Sequence, residues 1–278
     1  MRTTGRAAVL GSPITHSLSP FLHRAAYAAM GLTGWTYEVR ECDEAGLPAM
    51  LEAADWSGLS LTMPLKRAVL PLLDTVSDLA VAVGGANTVV FDGNARHGHN
   101  TDVYGIEQAL AEAGIAAPRS ALVLGGGATA ASALAALRGL GVNAATLVVR
   151  DPARAGETAG VAERLGVALA VETFDKLDAL LDVDLVISTL PGGAADAFAG
   201  QVARVPALFD VVYAPWPTRL AAAAEAAGGT VVGGFPMLLH QAVRQVELMT
   251  GRSDVPVEAM RAAGEAEILR RATLQRDD

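Results

Sequence analysis

The strongest constraint on the fold is an alternation that runs the length of the chain, in which short β-like runs exchange with amphipathic helical stretches. That pattern belongs to α/β architectures, where helices cover a largely parallel sheet. In the first third, strands are expected at 7–11, 35–40, 59–62 and 87–91, with helical segments near 20–30, 44–54 and 65–71. Ser19 before Pro20 reads as a helix start, a capping hydroxyl followed by proline in the first turn. Asp92-Gly93 signals a turn, with a hairpin return toward Gly98. A helix over 101–114 carries Ile106, Leu110 and Ala113 on one face. A second α/β series then begins, and its strands at 120–125, 145–150, 183–189, 207–212 and 230–233 read as a parallel set. Helices to about 140 and about 165 lie between them, and helical stretches at 236–250 and 256–275 close the chain. The restart of the pattern puts a boundary near 103.

Composition limits what such a fold does. With 51% apolar and 18% charged residues, the 278-residue chain can bury a sizeable core and is not a disordered one. A net charge of −9 argues against broad binding to nucleic acid or an anionic membrane, so an anionic ligand has to be held by a few local cations. A single cysteine, Cys42, excludes an intramolecular disulfide and a cysteine-built zinc site. The five histidines show no metal-ligand spacing, and no metal is expected. The beginning of the chain lacks the apolar stretch of a signal peptide, and the uncharged run 79–91 is too short to span a bilayer; a cytoplasmic protein is expected. Only two of the 21 cationic residues are lysines, Lys66 and Lys176. Where arginine serves wherever a positive charge is wanted, a retained lysine hints at an amine that must lose its proton.

Two groups of residues carry chemistry. Gly125, Gly127 and Ala130, with Ala128 between them, fit G-x-G-x-x-G/A between a buried strand and a helix. The first glycine allows the tight turn, the second lets a pyrophosphate approach the backbone, and the small third residue lets helix and strand pack closely. The bland alternative is a tight turn that binds nothing. At the end of the next strand, where an NAD enzyme places an acid, stands Arg150, with Arg154 four residues on. If a helix begins near Pro152 the two share a face and suit the 2′-phosphate of NADP, although Asp151 complicates that reading. Ahead of this motif lie four polar clusters, 11–20, 59–66, 84–88 and 99–105, each expected at the end of a strand. Singly each has a capping or turn explanation; together they suggest a site.

The ordered set formed by Ser17, Ser19 and Pro20, Thr62, Pro64 and Lys66, Asn87-Thr88, Asn100-Thr101-Asp102, Ser188-Thr189, Asp210, Tyr213 and Pro215, Gly234, Met237 and Gln241 resembles the shikimate dehydrogenase family over essentially the whole chain. The resemblance implies an N-terminal α/β substrate domain (1–103 with 235–278), a Rossmann-like NADP-binding domain (104–234), C-terminal helices returning to the substrate domain, and a cleft between the domains. It implies Ser17 and Ser19 on a substrate carboxylate, Thr62, Asn87, Tyr213 and Gln241 around the substrate, and Lys66 with Asp102 as the proton-transfer pair. Gly125, Gly127, Ala128, Ala130, Arg150, Arg154, Thr189, Gly234 and Met237 fall to the cofactor. The reaction implied is NADP-dependent reduction of 3-dehydroshikimate to shikimate by a monomer or homodimer. Two positions depart from the family pattern: Ser60 and Arg24 each stand where Asn is common. A quinate or aminoshikimate dehydrogenase, a methylene-tetrahydrofolate dehydrogenase-like enzyme and a catalytically silent NADP-binding regulator are the alternatives.

Overall fold

The computed structural model describes residues 4–53 and 55–277. The first three residues, on which part of the signal-peptide reading rests, and residue 54, the expected end of one helical segment, lie outside them. The chain divides into two compact units, Met1–Thr101 with Leu239–Asp278, and Asp102–Leu238.

The first unit carries β1 (Thr4–Gly11), β2 (Gly34–Glu41), β3 (Gly58–Leu61), β4 (Thr75–Val76), β5 (Thr88–Asp92) and β6 (Ala95–His99), in the spatial order β2-β1-β3-β5-β6-β4. Between them run α1 (Ser19–Ala29), α2 (Leu47–Glu52), α3 (Leu65–Ala68) and α4 (Asp78–Val83). β1 pairs in parallel with β2 and β3, whereas β5 is antiparallel to both β3 and β6. The expected hairpin forms at Asp92-Gly93, where Gly93 turns with φ +59°. β4 and α4 were not anticipated: their apolar residues lie in a short run without clear period, and α4 is defined by the Ser77 hydroxyl accepting from Ala80 N–H. α1 also departs from expectation. Ser19 is its first residue rather than its cap, and the Ser17 hydroxyl accepts the Ser19 N–H at 3.2 Å. Beneath the sheet, Leu10, Leu47, Leu59, Leu65 and Val89 form one dry cluster.

The second unit is a six-stranded, wholly parallel sheet of β7 (Ala121–Leu124), β8 (Ala144–Val149), β9 (Ala168–Thr173), β10 (Leu185–Ser188), β11 (Ala207–Asp210) and β12 (Thr230–Val232), ordered β12-β11-β10-β7-β8-β9. α5 (Asp102–Glu112), α6 (Ala128–Gly139), α7 (Gly156–Leu165), α8 (Ala199–Val202) and α9 (Arg219–Ala226) belong to it. β7 is a continuous apolar run and β10 is apolar up to its terminal Ser188, and both are buried throughout, as strands covered on both faces must be. α6 is alanine-rich because it is buried from Ala130 to Leu137, and small side chains let its backbone approach the sheet. β9 was missed because it is an edge strand with alanine at two of six positions and no fully buried residue. Leu122, Leu124, Val148, Val186 and Leu208 fill the core; truncating one such leucine to alanine costs about 2–5 kcal/mol.

α10 (Gly234–Thr250) begins in the second unit and ends in the first. α11 (Val257–Asp277) then packs on α1, with the Arg271 guanidinium 5.6 Å from the Phe21 ring centre. Among the described residues no helix is long and apolar enough to cross a membrane.

Candidate functional site

In the first unit, strand direction gathers the polar clusters. β1, β3 and β6 run one way and β5 the other, with Leu10 opposite Leu61, Ser60 opposite Thr88 and Thr88 opposite His99. One edge of the sheet therefore receives the carboxyl ends of β1, β3 and β6 and the amino end of β5. Ser17 and Ser19 follow β1, Thr62 and Lys66 follow β3, and Asn100 and Thr101 follow β6. The 84–88 cluster sits before a strand, not after one as its spacing suggested, and the reversed direction of β5 is what brings Asn87 to this edge. Lys66 is half-buried on α3, its carbonyl accepting the Ala86 N–H at 2.8 Å, next to Asn87. Asp102, the buried first residue of α5, follows Thr101 directly.

Asn87 is a hub. Its Oδ1 accepts from the Thr101 N–H (2.8 Å) and the Thr88 hydroxyl (2.9 Å), while Nδ2 donates to Thr101 Oγ1 (2.9 Å) and Gln241 Oε1 (3.4 Å). Behind it Gln245 donates to the Asn87 carbonyl and Thr88 Oγ1, the Ser60 hydroxyl donates to Gln245 Oε1, and Tyr37 Oη donates to Ser60. Burial pushes the Tyr37 phenol up in pKa, hydrogen bonds with Ser60 and Ser19 partly opposing it. His23 stacks on Tyr37 with ring centres 3.9 Å apart, its Nδ1 2.9 Å from the Ser19 carbonyl; burial pushes its pKa down to about 4, partly offset by that carbonyl. The loop carrying Ser17 is tied from α11, where Arg271 donates to the His16 carbonyl at 2.6 Å and pairs with Glu267, whose carboxyl is held down at about 2 chiefly by its bonds to Arg270 and Arg271.

Of the two departures, Ser60 is part of this buried set, and Arg24 ties α1 to β2 by donating to the Tyr37 carbonyl at 2.7 and 3.0 Å. Tyr37 and Gln245 were not singled out from the sequence. Gln245 had a legible signal, one turn after Gln241 on the same helical face; Tyr37 reads as an ordinary core aromatic in a strand.

In the second unit the strand order reverses between β7 and β10, and the crevice at the carboxyl ends of two such strands is where parallel α/β sheets take ligands. Gly125 follows β7 and Thr189 follows β10 there. Gly125 has φ +100°, and a Cβ on it would lie 2.6 Å from Thr189 Oγ1, so the position admits only glycine. Thr189 Oγ1 donates to the Leu124 carbonyl (2.8 Å), and Thr158 Oγ1 pins the Gly126 carbonyl (2.7 Å). Gly127, the N-cap of the twelve-residue α6, provides no side-chain cap, and a Cβ there would meet nothing within 4 Å. Ala128 opens the helix and Ala130 is fully buried against the sheet. A bare helix start above an open glycine fits a dinucleotide pyrophosphate.

Arg150 and Arg154 are exposed at the end of β8, but not as two positions of one helix. Pro152–Arg154 is a single 3₁₀ turn and α7 starts at Gly156. Asp151 has a local role, its Oδ1 accepting the Ala153 N–H at 3.0 Å. Tyr213 lies on the segment after β11, which is anchored by Thr218 Oγ1 donating to Asp210 Oδ2 at 2.7 Å; burial pushes the Asp210 pKa up. Gly234 follows β12, where a Cβ would sit 1.9 Å from the Val211 carbonyl oxygen, and Met237 is buried in the first turns of α10. Among the described residues no three His, Cys, Asp or Glu side chains gather as metal ligands.

Comparison with known proteins extends over most of the chain. Residues 9–89 match the shikimate dehydrogenase substrate binding domain and residues 234–263 the shikimate 5′-dehydrogenase C-terminal domain. The shikimate dehydrogenase (NADP(+)) of Moorella thermoacetica is 35% identical over 276 residues, spanning 93% of this chain and 92% of its own. The crystal structure of Mycobacterium tuberculosis shikimate dehydrogenase superposes with a TM-score of 0.88 at 44% identity, covering 94% of this chain and 99% of that one. Quinate dehydrogenase from Corynebacterium glutamicum, in complex with NAD, superposes with a TM-score of 0.85 at 32% identity, covering 95% and 99%.

Proposed function

Because the chain belongs to the shikimate dehydrogenase family, we propose that it catalyses the reversible NADP-dependent reduction of 3-dehydroshikimate to shikimate. The observation that carries this reading is the convergence of Ser17, Ser19, Thr62, Lys66, Asn87 and Thr101 on one edge of the first sheet.

Each group has a task set by its chemistry. The Ser17 and Ser19 hydroxyls donate to the substrate carboxylate. Thr62, Asn87, Gln241 and Tyr213 bond the rest of the substrate, and a site so lined rejects an analogue lacking a hydroxyl by about 10⁴-fold, because its own polar groups are left without partners. NADPH, when bound, would supply the hydride. Lys66 Nζ gives a proton to the carbonyl oxygen in reduction and takes the hydroxyl proton in oxidation, with the Asp102 carboxylate orienting the amine and stabilising its charged form. Gly125, Gly127, Ala128 and Ala130 hold the pyrophosphate, Thr189, Gly234 and Met237 border the nicotinamide, and Arg150 with Arg154 bond the 2′-phosphate. The reading assigns 1–103 with 235–278 to substrate and 104–234 to cofactor, and the compact units Met1–Thr101 with Leu239–Asp278 and Asp102–Leu238, whose bounds differ by a few residues, support it. A cytoplasmic location completes it.

The test follows absorbance of the reduced nicotinamide while crossing shikimate and quinate with NADP and NAD. Rapid reduction with shikimate and NADP alone supports the reading. Preference for quinate keeps the hydride transfer and overturns the substrate; preference for NAD overturns the role of the two arginines.

A further inference from the structure

Gln245 lies one turn beyond Gln241 on α10 and is buried. Both of its amide hydrogens are engaged, Nε2 donating to the Asn87 carbonyl at 3.2 Å and to Thr88 Oγ1 at 3.0 Å. A backbone carbonyl only accepts, so turning the carboxamide round would set two oxygens against each other. Oε1 is therefore fixed as an acceptor, and the Ser60 hydroxyl donates to it at 2.8 Å. Ser60 has one proton, so it accepts from Tyr37, which donates at 2.7 Å. In the other direction Thr88, accepting from Gln245, donates to Asn87 Oδ1 at 2.9 Å. The Thr101 N–H reaches the same oxygen at 2.8 Å, and Asn87 accordingly turns Nδ2 toward Gln241 Oε1.

We propose that Gln245 is a positioning residue for substrate recognition: by fixing the direction of this buried hydrogen-bond chain it acts, together with the Thr101 N–H, to hold the Asn87 carboxamide with Oδ1 turned inward and Nδ2 toward Gln241, the two side chains proposed to meet the substrate ring. Any hydroxyl in the chain that turned its proton away would strand an acceptor behind it. This inference rests on the function proposed above.

Gln245→Leu fills the volume without the carboxamide. It is expected to raise KM for shikimate roughly tenfold, with kcat and the KM for NADP each within about threefold of wild type. Removing the side chain by Gln245→Ala vacates the space beside Ser60 Oγ, and the double variant Ser60→Asn/Gln245→Ala supplies a carboxamide from the strand side. It should recover most of the KM lost in Gln245→Ala. Proton exchange of the Asn87 side-chain carboxamide, followed by NMR, should quicken in Gln245→Leu whether or not substrate is present. Unchanged KM and unchanged exchange in a folded Gln245→Leu overturn the proposal, as does a raised KM that the double variant fails to lower. If the wild-type protein does not turn over shikimate, the function falls, and the exchange measurement still decides the role of Gln245: quickened exchange supports it and unchanged exchange overturns it.

Discussion

The two sheets present their functional edges in opposite ways. The first backs its edge with side chains that are already bonded to one another, from Tyr37 through Ser60 and Gln245 to Asn87. The second offers bare backbone, a glycine turn and an uncapped helix start over a dry core. Recognition of a small polyhydroxylated ring needs donors and acceptors aimed one by one, so the first unit keeps buried polar groups and links those from Tyr37 to Asn87 into one chain. A pyrophosphate needs N–H groups and room, so the second unit has only to keep side chains out of the way. Truncating side chains should therefore injure the first site, and adding them should injure the second.

The largest effect tests that directly. Lys66→Ala should lower turnover by about 10²–10⁴-fold while cofactor binding, measured by equilibrium titration, stays near wild type. Equal losses in both would erase the division of labour. In the second unit two added methyl groups should differ in kind. Gly234→Ala drives a Cβ to 1.9 Å from the Val211 carbonyl oxygen and should cost roughly 3 kcal/mol in urea unfolding. Gly127→Ala meets nothing within 4 Å and should leave stability intact while weakening NADP binding about tenfold. A destabilised Gly127→Ala with normal affinity would break the comparison.

The first unit's buried polarity should also show in its response to acid. His23 is held near 4, below its ordinary 6.5, so the unfolded chain binds a proton that the folded one refuses. Its contribution is present above pH 6.5 and is lost as pH falls toward 4, about 3 kcal/mol in all. Urea midpoints at pH 7 and pH 4.5 should converge in His23→Phe relative to wild type; an unaltered difference would remove His23 as the cause. The smallest effect lies on the exposed rim of the second site. Arg150→Ala combined with Arg154→Ala should reduce the ratio of kcat/KM for NADP over NAD about tenfold, with little change in the NAD values.

The same contrast decides what could be read from the letters. Gly125, Gly127 and Ala130 lie within six residues, and their spacing encodes one strand-to-helix turn, so that turn was visible before any coordinates. Ser17, Lys66, Asn87 and Asp102 were visible as clusters of polar residues near strand ends. Their wiring was hidden because its partners are distant: Ser60 meets Gln245 across 185 residues and Gln245 meets Asn87 across 158. No periodicity carries such pairs. The direction of β5 was equally illegible, since a strand reads the same either way until its partner is known. The shared helical face assigned to Arg150 and Arg154 failed for a local reason, because Asp151 caps a 3₁₀ turn before α7 begins.

The scarcity of lysine has a spectroscopic consequence. Lys66 is half-buried on α3, whereas Lys176 is exposed and paired with Glu172 at 2.7 Å. A protein labelled with nitrogen-15 only at lysine Nζ would give two side-chain signals, one from a solvent-facing ion pair and one from the proposed proton donor itself. The ionisation of the reacting amine could then be followed in the native chain, with substrate or cofactor added in turn and no substitution introduced.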